Sequence, residues 1–260
     1  MQNFSKLLSF GDSHTAGHLT TPVDLDSLWT GAKKLEEYDN ESKEFAFPNI
    51  LAKKYNTACI NYAMSGGSTD RSIRLLPQAL ANNPNSVVLF SFNNIDRSEI
   101  FYPKETKCPA KDSSGYLQVG INWVAEQTAS LRLFHFLNRK TEHPLNDLFL
   151  KKFSYSSVGY NNYKIFNNIL YVEALCKLHA VDFRYFFVGN EVIDNTHLQS
   201  EVWNLIDKTK IIKLPGNSNQ GYGSYIDFHT LNNSIGVGQG HYDKQAHVDF
   251  ANYLYDNMGF

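Results

Sequence analysis

The sequence predicts an α/β fold in which helices cover a parallel β-sheet. Short apolar runs alternate along the chain with segments whose apolar residues recur at helical spacing, and the runs end at turn-forming residues. With 260 residues, the chain is long enough to bury one full hydrophobic core. We therefore predict a single domain that spans residues 1–260.

Four strands and four helices follow from these patterns. The strand candidates, rich in branched and aromatic side chains, are residues 7–10, 58–63, 87–92 and 181–188. The helix candidates are residues 47–55, 68–80, 160–179 and 242–258. Residues 101–158 break the alternation with prolines among clustered aromatic residues. We predict that they form an insertion, which covers the carboxyl edge of the sheet or serves as a surface for protein assembly.

The composition excludes several classes of protein. Hydrophobic residues make up 42% of the chain and charged residues 19%, which is typical of a folded globular protein. The net charge of -2 lacks the basic excess of a general nucleic-acid binder, so no nucleic-acid partner is predicted. Cys59, Cys108 and Cys176 include no close pair, which indicates neither a disulfide framework nor a zinc site. No signal peptide or bilayer-spanning run is evident, so we expect a cytoplasmic or virion-associated protein without a membrane partner.

Polar side chains follow the predicted strands at the points where the strands end. Ser13 follows the first strand within Gly-Asp-Ser-His, a Ser-Gly-Gly-Ser turn at residues 65–68 follows the second, and Asn93 follows the third. His241 lies just before the last helix. Because reactive groups collect beyond the carboxyl ends of parallel strands, we expect these residues to lie together. A hydroxyl, a glycine turn, a carboxamide and an imidazole are the groups that acyl transfer requires.

The chemistry of serine explains this set of residue types. A serine hydroxyl is a poor nucleophile until a neighbouring imidazole takes its proton. The tetrahedral intermediate that follows needs hydrogen-bond donors fixed around its oxyanion. The backbone amides of Ser13 and Gly67 and the side-chain amide of Asn93 are candidate donors.

These blocks resemble those of the SGNH (GDSL-like) hydrolase family. The resemblance depends on Gly-Asp-Ser after the first strand, the glycine turn after the second, the asparagine after the third and the histidine before the final helix. It implies a three-layer α/β/α sandwich with a flavodoxin-like parallel sheet. It also implies a metal-independent serine esterase that needs no cofactor and removes small acyl groups, such as acetyl, from a small-molecule or glycan ester.

The resemblance also implies a role for each site residue. The residues are Ser13 as nucleophile and first oxyanion donor, Gly67 or Gly66 as second donor, Asn93 or Asn94 as third donor with Asn93 favoured, and His241 as base.

One position departs from the family pattern. The family usually has an aspartate three residues before the catalytic histidine, and this chain has Gly238 there. Asp227 or Asp243 could supply the orienting carboxylate instead, or Ser13 and His241 could act as a dyad with a backbone carbonyl holding the imidazole. Because a carboxylate stabilises the imidazolium and fixes its tautomer, its absence predicts slow turnover more readily than none.

Several of these residues also have a structural explanation. Ser13 is a candidate helix cap, and Asp243 is more typical of an N-cap than of a triad member. His247 lies six residues after His241, a spacing that does not form the paired ligands of a zinc protease, so we interpret it as structural. Residues 236–240 are glycine-rich and are interpreted as a flexible loop that lets His241 move.

Two other functions compete with the esterase. Asp12 and His14 match the Asp-x-His that opens the metal site of calcineurin-like metallophosphoesterases, but no Gly-Asp-x-x-Asp follows. The departure at Gly238 and the insertion would also suit a catalytically weak or inactive binding protein on an SGNH scaffold, such as a virion-associated component of a phage particle.

Overall fold

A computed structural model describes most of the chain. The residues it describes are 4–18, 20, 42–64, 67–93, 97–101, 116–120, 158–189, 201–216, 222–238 and 241–259. In chain order the elements are β1 (Lys6–Phe10), α1 (Ser13–Ala16), α2 (Phe47–Lys54), β2 (Ala58–Asn61), α3 (Thr69–Asn82), β3 (Ser86–Phe92), β4 (Arg97–Phe101), β5 (Tyr116–Gly120), α4 (Val158–Leu178), β6 (Asp182–Phe187), α5 (Glu201–Leu205), α6 (Tyr225–Leu231), β7 (Gly236–Gly238), β8 (His241–Tyr242) and α7 (Lys244–Asn257).

The main sheet has four parallel strands in the order β2-β1-β3-β6. Leu7 pairs with Cys59 on one side and Val87 on the other, so β1 lies inside the sheet. The chain moves outward from β1 first in one direction and then in the other, which is the arrangement of a flavodoxin-like sheet. The predicted parallel sheet is confirmed.

Alternate side chains of each strand enter two separate cores. From β1, Leu7 packs into a core with α2 and α7, whereas Leu8 and Phe10 pack into a core with α3 and α4. Because successive side chains of a strand point to opposite faces, the sheet is covered by helices on both sides. The predicted three-layer α/β/α sandwich is therefore confirmed.

The last part of the chain differs from its prediction. The final helix begins at Lys244, two residues later than expected, because Tyr242 belongs to β8 and the Asp243 side chain caps the helix. The interpretation of residues 236–240 as a flexible loop is wrong for residues 236–238, which form β7 and pair with β8 in an antiparallel hairpin.

Strands β4 and β5, which lie between β3 and α4 in sequence, form a separate small sheet. Strands β4 and β5 pair antiparallel, with Glu99 opposite Gln118, and neither strand joins the main sheet. The remainder of the predicted insertion, residues 102–115 and 121–157, lies outside the described residues. A role for the insertion in assembly stays a prediction. No helix within the described ranges is long and apolar enough to cross a membrane.

Candidate active site

The turn that follows β1 is tightly packed against β3. A side chain at Gly11 would collide with Ser91 Oγ and with the side chain of Thr15. These two hydroxyls lie 2.7 Å apart, and Ser91 Oγ also donates to the Phe10 carbonyl at 3.2 Å. Only glycine leaves room for this contact, so Gly11 fixes where the chain turns out of the sheet.

Asp12 caps the short helix α1. Its Oδ1 accepts a hydrogen bond from the His14 amide at 3.0 Å, and Asp12 is itself 1% exposed. Ser13 is the first residue of the helix, so the cap suggested for Ser13 is provided by its neighbour. The helix ends at Gly17 in the left-handed conformation, with a φ of 77°.

Ser13 and His241 are brought into direct contact. The distance between Ser13 Oγ and His241 Nε2 is 2.8 Å, although the two residues lie 228 positions apart in sequence. Both residues are buried. Strand β8 holds the backbone of His241, and Gly238 of β7 lies directly opposite it. This distance is within the range that proton transfer between a nucleophile and its base requires.

The two candidate orienting carboxylates both serve helix N-termini. Asp227 Oδ2 accepts from the Ser224 amide at 2.9 Å, and Ser224 Oγ accepts from the Asp227 amide at 3.1 Å, which is a capping box for α6. Asp243 Oδ1 accepts from the Ala246 amide at 2.9 Å and caps α7. The N-cap interpretation of Asp243 is thus confirmed, and Asp227 has the same structural use.

The glycine turn and the asparagine meet beside the turn after β1. A Cβ at Gly67 would lie 2.8 Å from the Met64 carbonyl oxygen and 3.0 Å from that of Gly11, so the position admits only glycine. Asn93 is fully buried, and its Nδ2 donates to the Gly67 carbonyl at 2.8 Å. The first three blocks of the sequence pattern therefore converge, as expected from the carboxyl edge of a parallel sheet.

The hydrogen bonds of Gly67 and Asn93 show which of their hydrogens are already used and which could bind an oxyanion. The Gly67 amide donates to the Met64 carbonyl at 2.8 Å, which occupies the hydrogen that the sequence assigns to the oxyanion. Asn93 Nδ2 carries a second hydrogen besides the one that bonds to Gly67. The alternatives Gly66 and Asn94 lie outside the described residues.

Two further histidines contact the ring of His241, and the sequence interpretation missed this role for both. The His14 ring stacks on it with a centroid distance of 4.7 Å and an interplanar angle of 24°. The His18 ring meets it edge-on at 5.3 Å and 73°. No helical spacing links the two residues, because α1 ends at Ala16 and Gly17 is left-handed, so the sequence carried no signal for this pair.

Two more buried histidines lie behind this group. Burial lowers the pKa of His229 and of His247 from 6.5 to about 3, with a smaller contribution from the neighbouring histidines. His247 Nδ1 accepts a hydrogen bond from the Phe47 amide at 3.2 Å, and His229 Nδ1 lies 2.8 Å from Ser234 Oγ. Both imidazoles therefore remain neutral parts of the core, in keeping with the structural interpretation of His247.

The Asp-x-His motif lies at the start of α1, where Asp12 is the N-cap and His14 belongs to the first turn. Within the described ranges, no three His, Cys, Asp or Glu side chains are grouped so that they could hold a metal ion. The Oδ1 atom of Asp12 is directed to the backbone of α1.

Comparisons with known proteins give matches among solved structures. No family model matches the chain, and no curated protein sequence matches it. One similar structure is a psychrotrophic esterase from Pseudoalteromonas sp., with 12% identity, a TM-score of 0.47, and coverage of 97% of this chain and 96% of that chain. Another is an acetyl xylan esterase from Butyrivibrio proteoclasticus, with 12% identity, a TM-score of 0.44, and coverage of 97% and 63%.

Proposed function

We propose that this chain is a metal-independent serine esterase that removes small acyl groups, such as acetyl, from a carbohydrate or a similar hydroxylated substrate. The observation that carries the proposal is the 2.8 Å contact between Ser13 Oγ and His241 Nε2, beyond the carboxyl end of β1. The buried Asn93 amide beside the glycine turn adds a second element of an acyl-transfer site.

The reaction follows the general course of serine acyl transfer. Ser13 Oγ attacks the ester carbonyl carbon while His241 Nε2 takes the hydroxyl proton. The intermediate collapses by breaking the bond between the carbonyl carbon and the alcohol oxygen, and His241 returns the proton to the departing alcohol. Water then attacks the acyl-serine, His241 accepts its proton, and the carboxylic acid leaves as Ser13 recovers its hydrogen.

The negative charge on the intermediate needs donors close to Ser13. We assign the Ser13 amide and the second hydrogen of Asn93 Nδ2 to this task. Gly67 remains the third candidate, but its amide must be shared with the Met64 carbonyl or released from it. Gly66 is the alternative third donor.

The proposal is tested by the hydrolysis of p-nitrophenyl acetate. We expect wild-type activity, and a fall in kcat of roughly a thousandfold or more in Ser13→Ala and in His241→Ala, because these two groups make and break the bonds. Ser5→Ala replaces an exposed serine and should keep the wild-type rate. Equal activity of the wild type and both site variants would overturn the mechanism.

Two further measurements separate the esterase from its competitors. A fluorophosphonate probe should label Ser13 rapidly and stoichiometrically, and a folded protein that resists labelling would favour a binding scaffold. Activity on a phosphate ester that a chelator abolishes would favour a metallophosphoesterase.

The acyl preference is tested with a substrate series. Acetate release from acetylated oligosaccharides, and faster hydrolysis of p-nitrophenyl acetate than of the octanoate, are expected. A preference for the octanoate would overturn the small-acyl assignment and leave the serine mechanism intact.

A further inference from the structure

We propose that His14 is a positioning residue that stacks on the face of the His241 imidazole and keeps its Nε2 directed at Ser13 Oγ. The His18 ring contacts the same imidazole edge-on and supports this orientation. This inference rests on the proposed roles of Ser13 and His241. It gives a function to the residue that directly follows the nucleophile.

The ring contacts restrain His241 in two directions. The His14 ring lies nearly parallel to that of His241, 24° from coplanar at a centroid distance of 4.7 Å. Rotation of the His241 ring about its Cβ–Cγ bond would drive its edge into the His14 face. The His18 ring stands at 73° to that of His241 at 5.3 Å, so it limits sideways displacement. Together the two contacts favour the orientation that brings Nε2 to 2.8 Å from Ser13 Oγ.

Both the backbone and the side chain of His14 are held in place. Its amide donates to Asp12 Oδ1 at 3.0 Å, which fixes its backbone in the first turn of α1. Its ring packs against Tyr225 at a centroid distance of 5.2 Å, and Tyr225 is fully buried against Phe250 at 4.8 Å. The stack therefore connects His241 to the core between the sheet and α7.

Adjacency in sequence makes this arrangement effective. Ser13 and His14 share one peptide bond in α1, so the turn that places the nucleophile also places the ring that aligns its base. In the usual triad a carboxylate aligns the imidazole, and the stacked His14 ring acts on the same imidazole from its face. The His14 ring restrains the His241 imidazole by packing against its face, whereas a triad carboxylate does so by accepting a hydrogen bond.

The test compares two substitutions of His14. In His14→Ala, kcat for p-nitrophenyl acetate should fall by roughly 10- to 100-fold with little change in KM, because a misplaced base impairs the chemical step. The rate of fluorophosphonate labelling at Ser13 should fall in parallel. In His14→Phe, which keeps a flat ring at this position, most of both rates should be retained.

A matched control separates positioning from loss of stability. His247→Ala also removes a buried imidazole, but one whose ring stacks on Phe47. We expect it to lower the melting temperature while kcat stays close to that of the wild type. If folded His14→Ala keeps wild-type kcat, or folded His14→Phe is as impaired as His14→Ala, the inference is wrong.

A structural measurement makes the result independent of turnover. In a crystal structure of His14→Ala, or of His14→Leu should the alanine variant not fold, the His241 ring should leave Ser13 or adopt more than one orientation. A single orientation with the contact intact would overturn the inference. The wild type could lack esterase activity while the His241 ring still moves in the structure of the His14 variant. That result would refute the proposed function and leave the positioning role of His14 intact.

Discussion

The two candidate orienting carboxylates are used at helix N-termini. Asp227 completes the capping box of α6, and Asp243 caps α7. Side chains that satisfy the first amides of a helix contribute about 0.5 to 2 kcal/mol to stability. Each residue therefore has a structural use at a helix N-terminus.

The first prediction separates capping from orientation of the base. Asp227→Ala and Asp243→Ala should each lower the free energy of unfolding by about 1 kcal/mol because a helix cap is lost, with kcat near that of the wild type. Urea unfolding and p-nitrophenyl acetate hydrolysis measure the two effects. Asp249→Ala, on the exposed side of α7, is the control and should change neither quantity appreciably. A fall in kcat comparable to that of His241→Ala would identify the substituted carboxylate as the orienting group.

The second prediction concerns Asn93. Removing its amide in Asn93→Ala should lower kcat on the order of a hundredfold or more, because one donor to the oxyanion is lost. Asn83→Ala removes another buried asparagine amide, which bonds to the Ala79 carbonyl at 2.8 Å, and should cost stability without this loss of kcat. Unchanged kcat in Asn93→Ala would show that Asn93 does not donate to the oxyanion.

The sequence predicts which residues of the candidate site come together but does not predict the ring contacts around His241. Ser13, Gly67 and Asn93 follow consecutive strands, and parallel strands end at one edge, so their convergence can be read from the chain. The ring contacts of His14 and His18 with His241 could not be read in this way. They depend on where the β7–β8 hairpin places His241, and a glycine-rich segment has little side-chain pattern from which to predict pairing.

At the scale of elements, the hairpin of β7 and β8 determines the approach of His241 to Ser13. Gly238 is the cross-strand partner of His241, and it occupies the position where the resembling family carries its aspartate. Directly opposed residues in an antiparallel pair have Cβ atoms about 5 Å apart. The pairing carries a register shift between Gly236 and Gly238, and we expect a carboxylate introduced at residue 238 to come within reach of the imidazole.

The third prediction follows from this pairing. Gly238→Asp should raise kcat by about tenfold or more, because a carboxylate stabilises the imidazolium that forms during the reaction. Gly238→Asn has nearly the same shape without the charge and should give a smaller gain. The measurement is kcat on p-nitrophenyl acetate, together with thermal unfolding of each variant. A folded Gly238→Asp protein that is no faster than Gly238→Asn would show that the hairpin does not present residue 238 to the ring.

Element length largely explains which parts of the fold the sequence could predict. The four main strands and the helices α2, α3 and α4 carry long apolar patterns and lie where expected. The elements that were not predicted, such as α5 and β8, have five residues and two residues. Such short segments hold too few apolar positions to establish a period, and tertiary packing decides their structure.

At the scale of the whole molecule, neutral histidines in the core make stability depend on pH. The pKa of His229 and of His247 falls from 6.5 to about 3 on folding, so below pH 6.5 the unfolded chain binds more protons than the folded chain. The stability contributed by each histidine is fully present above pH 6.5 and decreases as the pH falls toward 3. Between pH 7 and pH 5, each fully buried imidazole should account for about 2 kcal/mol of the loss.

The fourth prediction isolates one of these groups. His247→Asn keeps a polar atom for the Phe47 amide but does not titrate in this range. The free energy of unfolding, measured with urea between pH 7.5 and pH 5, should fall less steeply in this variant than in the wild type. Parallel curves for the two proteins would mean that His247 takes up no additional proton when the chain unfolds.

Ser13 and His241 lie 228 positions apart in sequence, so the proposed nucleophile has a further use as a reporter of folding. The proposed nucleophile, Ser13, belongs to the first strand-turn unit, whereas its proposed base, His241, belongs to the hairpin before the final helix. A nascent or truncated chain that lacks residue 241 carries the serine without its activating partner. Covalent labelling of Ser13 would therefore count the molecules in which the two ends of the chain have come together, and its onset during refolding would mark the completion of the fold.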